Sequence, residues 1–162
     1  MKSVLFLCTG NSARSILAEA IMAKQGAGRF YSFSAGSKPK GVPHWAALKL
    51  LQKKGYETSH LRSKSWDEFT GPAAPKIDFI FTVCGNAAKE TCPVWIGHPM
   101  QAHWGIDDPA HTTGSEADVL AAFEITYGRM KRRIDALLAL PVESMNASEI
   151  KHQMNAIGEM RD

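Results

Sequence analysis

The chain holds only three cysteines in 162 residues, Cys8, Cys84 and Cys92. So low and odd a count excludes a disulfide framework as the source of stability. Tight Cys-x2-Cys and His-x3-His spacings are missing. A zinc site joining Cys84 and Cys92 to His98 or His103 is therefore a poor alternative, and no metal is expected. No apolar run approaches the length that spans a bilayer, so no membrane is expected as a partner. Met1-Lys2-Ser3-Val4 runs straight into a strand pattern, without a secretory leader and its cleavage site. A cytoplasmic setting is expected, where thiols stay reduced. The net charge of +3 is mild. It suits a small anionic substrate. Without an arginine-rich or aromatic-interleaved basic stretch, it does not suit nucleic acid. Repeats and linkers are absent too, and the length fits a domain with a real core.

What is present is an alternation of apolar strands and amphipathic helices. Residues 2–7 read as a buried strand, and residues 12–25 as a helix ended by Gly26 and Gly28. Phe30 to Ser34 reads as a second strand. Pro43 opens a second helix with Trp45, Leu48 and Leu51 facing inward, closed by Gly55. Residues 66–69 suggest a short helical turn. Ile77 to Val83 and Gln101 to Trp104 read as the third and fourth strands. Thr113 or Ser115 caps a long helix whose stripe is Leu120, Phe123, Tyr127, Met130, Ile134 and Leu137. Lys131-Arg132-Arg133 on that helix is expected to be a solvated face, and Pro141 stops it. Residues 141–162 carry only a weak helical pattern and read as a tail beyond a domain of residues 1–140. The alternation predicts an α/β fold with a parallel sheet between helical layers. In such folds ligands bind beyond the carboxyl ends of the strands. Cys8, Cys84 and Asp108 each follow a predicted strand.

The first of those turns is the chemically informative one. Cys8-Thr9-Gly10-Asn11-Ser12-Ala13-Arg14-Ser15 lies between a strand and a helix. Backbone N–H groups of residues 9–14 can converge there on a tetrahedral oxyanion. Arg14 adds a bidentate clamp. Asn11 suits a left-handed turn. Cys8 would sit beneath the anion as a nucleophile, its thiolate favoured by the N–H groups, the helix dipole and Arg14. Ser15 can hydrogen-bond that thiolate. A strand-end cysteine is more commonly inert core. Gly10, Asn11 and the hydroxyls of Ser12 and Ser15 favour the functional reading.

Asp108, held off helical geometry by Pro109, can give a proton to a leaving oxygen, with Asp107 as the competing carboxylate. Cys84 and Cys92 flank a polar segment able to loop, which suits thiol–disulfide exchange. His44, His60, His111 and His152, and the four tryptophans, read as packing or surface residues.

The loop Val4 to Ser15 resembles that of the low-molecular-weight protein tyrosine phosphatase superfamily. Ser34-Ala35-Gly36, the stretch from Phe81 through Cys92-Pro93, and His103 to Ala110 are similar to its arsenate reductase branch. The resemblance implies a four-stranded parallel sheet in a three-layer sandwich, and reduction of arsenate to arsenite without a cofactor. It implies that Cys8 attacks arsenate, Asp108 protonates the departing hydroxide, and Cys84 and then Cys92 take over the disulfide. Thioredoxin, or else glutaredoxin, would reduce it, and phosphate or sulfate would mimic the substrate. A monomer is expected. Ala13 stands where many relatives carry a second loop cysteine. Ala110 stands where phosphatases of the superfamily carry an aromatic residue, which disfavours phosphotyrosine as the substrate. Some relatives hold potassium beside the loop; Asn11, Glu19 and Ser34 match part of that site, with Lys64 where an acidic ligand is expected.

Overall fold

The structure is a computed structural model and describes residues 1–84, 95 and 97–160. Its strands are β1 (Lys2–Leu7), β2 (Phe30–Ala35), β3 (Phe79–Thr82) and β4 (Met100–His103). They form one parallel sheet in the order β2-β1-β3-β4. The helices are α1 (Arg14–Gln25), α2 (Trp45–Lys53), α3 (Glu116–Leu138) and α4 (Ala147–Gly158). Among the described residues no helix is long and apolar enough to cross a membrane.

The central strands explain the sheet. β1 and β3 are apolar almost throughout, because both of their faces are covered. Alternation sends Val4 and Phe6 to one face and Leu5 and Leu7 to the other. The Val4 face meets a large core, in which Phe81 stacks on the fully buried Trp104 at 3.9 Å. α1 through α4 all feed this core. The Leu5 face meets a smaller cluster with Phe69, Ile77, Ile80 and Trp95. The short 3-10 helix Trp66–Phe69 supplies Phe69, while Trp66 crosses Trp95 edge-on at 6.3 Å.

Several expectations shift. α1 begins at Arg14, so residues 12 and 13 stay in the loop. Trp45 does not face inward: it is 44% exposed. His44 caps α2 by accepting the Ala46 N–H at 3.1 Å on Nδ1, and this phase turns Ala46, Ala47, Leu50 and Leu51 to the core. Ser115 caps α3 in a full capping box with Asp118. Arg133 is no solvated residue. It is 3% exposed, and its guanidinium donates to the Arg129 and Met160 carbonyls at 3.0 and 2.9 Å. Lys24 of α1 lies at the surface over the Tyr56 ring at 4.5 Å.

The segment set apart as a tail folds as α4 and packs into the main core through Ile150, Met154 and Ile157. The Trp104 indole N–H donates to the Met154 carbonyl at 2.9 Å. A buried indole must find such a partner, and here it lies 50 residues away in sequence.

Candidate active site

Register brings the strand ends together. Leu7 pairs with Ala35 on one side and with Thr82 on the other, and Thr82 pairs with His103. The residues that follow, Cys8, Gly36, Cys84 and Asp108, therefore leave the same edge of the sheet. The ladder runs slightly past the strands: Val83 N–H donates to Leu7 O at 2.8 Å, and Ile106 N–H to Val83 O at 3.2 Å.

At this edge lies a cavity of about 210 Å³, lined by Cys8, Gly10, Ser12, Arg14 and Asp108 among others. Ala13, at the head of α1, has no capping side chain, and no acidic residue stands in the first turn. The leading N–H groups of α1 are thus left for an anion. Asn11 is fully buried with φ of 43°. Its amide fixes that conformation, as Nδ2 donates to Ser15 Oγ at 2.8 Å and to Ser34 Oγ at 3.0 Å. Its Oδ1 accepts the Lys64 N–H at 2.9 Å. Thr9 O and Gly10 O accept the N–H groups of Lys38 and Lys40 at 2.9 and 3.0 Å. Gly36 packs so closely that a Cβ there would lie 2.7 Å from Cys8 O and closer still to Thr9 O.

Cys8 is 4% exposed, and its sulfur lies 2.8 Å from Ser15 Oγ. Burial pushes the thiol above its ordinary value; Ser15 and Arg14 pull it down without winning, and Cys84 adds to the rise. Desolvation of this deep sulfur thus works against the thiolate that the loop N–H groups and Arg14 favour. Cys84 is also buried. Its sulfur accepts the Thr9 N–H at 3.4 Å, so the residue next to Cys8 carries the second thiol. Cys92 lies outside the described residues.

Arg14 Nη1 donates to Ile106 O at 2.9 Å, and Nη2 stands 3.4 Å from Asp108 Oδ2. Asp108 caps the 3-10 helix Pro109–His111, accepting the Ala110 N–H at 2.9 Å. Asp107, its competitor, points to solvent and pairs with Arg129 of α3 at 3.9 Å.

Behind the loop, Ser34 Oγ donates to Glu19 Oε1 at 2.5 Å. The buried Lys64 ammonium stands 3.4 Å from the same oxygen and donates to Arg62 O at 3.0 Å. Of the three residues that match a potassium site, Glu19 is thus paired with the chain's own ammonium, while Asn11 and Ser34 are hydrogen-bonded within the loop support. Burial pushes Lys64 below its ordinary value, against the pull of Glu19. Among the described residues no group of three or more His, Cys, Asp and Glu side chains is gathered as metal ligands would be. His103, offered for zinc, shares a hydrogen bond with Thr82 Oγ1 at 2.8 Å. His44 is a helix cap, its ring tilted against Phe123 at 4.6 Å.

Sequence reasoning missed three residues of the cavity wall, Lys38, Lys40 and His111. The lysines reach the wall because their N–H groups donate to Thr9 O and Gly10 O, a long-range pairing that no local pattern marks. For His111 a signal existed: it follows Asp108 at a spacing of three, across a proline-started turn.

Residues 3–154 match the family model of low molecular weight phosphotyrosine protein phosphatases. An arsenate reductase of Bacillus subtilis is 38% identical over 135 residues, 82% of this chain and 92% of that one. A similar protein of Bacillus licheniformis is 34% identical over 134 residues, with the same coverage. Among solved structures, an arsenate reductase in its phosphate-binding state superimposes with a TM-score of 0.66 at 26% identity, over 86% of this chain and 98% of that one.

Proposed function

Because the chain belongs to the low molecular weight phosphotyrosine protein phosphatase family, and its curated relatives are arsenate reductases, we propose that it reduces arsenate to arsenite through a relay of cysteine thiols. The observation that carries this reading is Cys84. Ester hydrolysis needs one nucleophile, whereas reduction needs a second thiol within reach. A second buried thiol lies against the nucleophile loop, 3.4 Å from the Thr9 amide nitrogen.

Arsenate is held by the loop N–H groups of residues 9–14 and by the Arg14 guanidinium. Cys8, deprotonated, attacks arsenic; Asp108 protonates the departing hydroxide, which leaves as water. Cys84 thiolate then attacks the Cys8 sulfur. A sulfur–sulfur bond forms, the sulfur–arsenic electron pair returns to arsenic, and arsenite departs. Cys92 attacks Cys84 and frees Cys8. Two thiols have supplied the two electrons, so neither flavin nor metal takes part in these steps. Thioredoxin, itself a dithiol, restores the Cys84–Cys92 pair. Ser15 and Asn11 hold the nucleophile in place. The same constellation supports slow hydrolysis of small aryl phosphates.

The test is NADPH oxidation coupled through thioredoxin reductase and thioredoxin, with arsenate as the limiting substrate. Turnover should vanish in Cys84→Ser and Cys92→Ser, with Cys8 still forming its arsenic adduct. Full turnover in either variant would sink the relay.

A further inference from the structure

His111 lines the cavity, yet the relay gives it no part. It ends the 3-10 helix that Asp108 caps, and the spacing of three folds its ring back over the cap. Its Nε2 lies 3.0 Å from Asp108 Oδ2. Asp108 thus has one oxygen bound to the Ala110 N–H and the other shared between Arg14 and an imidazole. The exposures differ sharply: the His111 side chain is 82% exposed and that of Asp108 23%. One member of the pair exchanges protons freely with water, while the other faces the cavity.

We propose that His111 is the proton store of Asp108. Its imidazolium passes a proton from Nε2 to Oδ2 as the oxyanion enters, and the ring refills from solvent. The inference rests on Asp108 being the general acid of the reduction. An imidazole is the side chain suited to taking a proton from water and handing it on. The exposed ring, 3.0 Å from Oδ2, therefore gives a proton a route from solvent to the oxygen that faces the leaving group. An entering anion makes a second negative charge at Asp108 costly and drives the proton onto it. The same anion engages Arg14, which otherwise favours the carboxylate. The proton then goes to the departing hydroxide, giving water, and no electrons move in the transfer.

The surrounding charges do not supply an alternative. Lys38 and Lys40 across the cavity are alkyl ammoniums, a type that stays charged through neutrality. Asp107 is paired with Arg129 from α3. His44 feels both Lys40 and Asp108, but burial pushes it down and its Nδ1 is occupied by the Ala46 N–H. His111 acts through Asp108, so it is a positioning residue rather than a catalytic one.

The experiment measures kcat/KM for arsenate from acid to alkaline pH in the thioredoxin-coupled assay, for the unmodified chain, His111→Gln, His111→Ala and Asp108→Asn. Glutamine keeps an N–H for Asp108 but cannot titrate. A surface ion pair with only a structural role would leave the pH profile of His111→Gln unchanged, and that result overturns the inference. The expected result is a loss of about tenfold near neutral pH in His111→Gln, with the alkaline limb moved to lower pH and added imidazole restoring His111→Ala. If Asp108→Asn is inactive while His111→Gln keeps the original profile, the proton store fails and the general acid stands. If Asp108→Asn turns over normally, both fail.

Discussion

Gly36→Ala should damage the active site from a position that carries no chemistry. The new methyl would stand 2.7 Å from Cys8 O and 3.0 Å from Asn11 N, and closer still to Thr9 O, whereas real Cβ atoms keep beyond 3.0 Å. All three neighbours are backbone, so no side chain can swing aside. Retreat is blocked as well. Gly36 N–H donates to Lys64 O at 2.9 Å, and Gly36 O accepts the Trp66 N–H at 2.9 Å. The residue is wedged between the oxyanion loop and the 64–66 segment. Overpacking of this kind costs about 1–3 kcal/mol, and each hydrogen bond given up about 1 more. A loss of about 2–4 kcal/mol is expected if the strand end backs away. If the loop yields instead, stability falls less, but the N–H groups around the anion shift, and displacements of about 1 Å in such sites cost on the order of 100-fold in rate. Urea denaturation followed by tryptophan fluorescence reads the first quantity, and arsenate turnover the second. A Gly36→Ala protein with unchanged midpoint and unchanged kcat/KM would refute the reasoning.

Cys8 should be alkylated by iodoacetamide more slowly than a free thiol at neutral pH, with the rate rising only above the ordinary thiol value of 9.0. The folded chain holds this proton more tightly than the unfolded one, so the thiol's share of stability is present below about pH 9 and is lost as pH rises beyond it. A rate already at plateau at neutral pH would refute the raised thiol. Lys64→Met leaves Glu19 as a buried carboxylate without its cation, at a cost of about 3–5 kcal/mol, whereas Lys64→Met/Glu19→Gln should recover most of it; additive losses in a double-mutant cycle would refute the coupling. Met154→Ala removes a fully buried side chain of α4 and should cost about 2–5 kcal/mol in thermal unfolding with kcat/KM nearly unchanged; a silent substitution would return α4 to the status of a tail.

Much of the fold was legible because it rests on local periodicity. Unbroken apolar runs mark β1 and β3, and recurrence at three and four marks α3; neither signal needs a long-range contact. The nucleophile loop was legible for a related reason: Cys8 and Arg14 are bound to one turn by sequence. Where local pattern underdetermines the answer, the reading slipped. Trp45 is apolar, but the His44 cap fixes the helix phase and sends it outward. Arg133 is charged, but two carbonyls satisfy it in the core. The weak stripe of residues 150–157 became a core helix because Ile150, Met154 and Ile157 bury against distant core residues, with Met154 O accepting the Trp104 indole N–H.

The sequence by itself determined the alternation of strands and helices, the oxyanion loop, and the supply of thiols and a carboxyl at strand ends. Tertiary structure alone decided which of these meet. Parallel register set Cys84 against Thr9 and Asp108 against Arg14. The Lys64 ammonium came to Glu19 from 45 residues away. It also set burial against the Cys8 thiolate, because desolvation depends on how deeply the fold buries a sulfur, and burial is a property of the whole packed chain rather than of any segment.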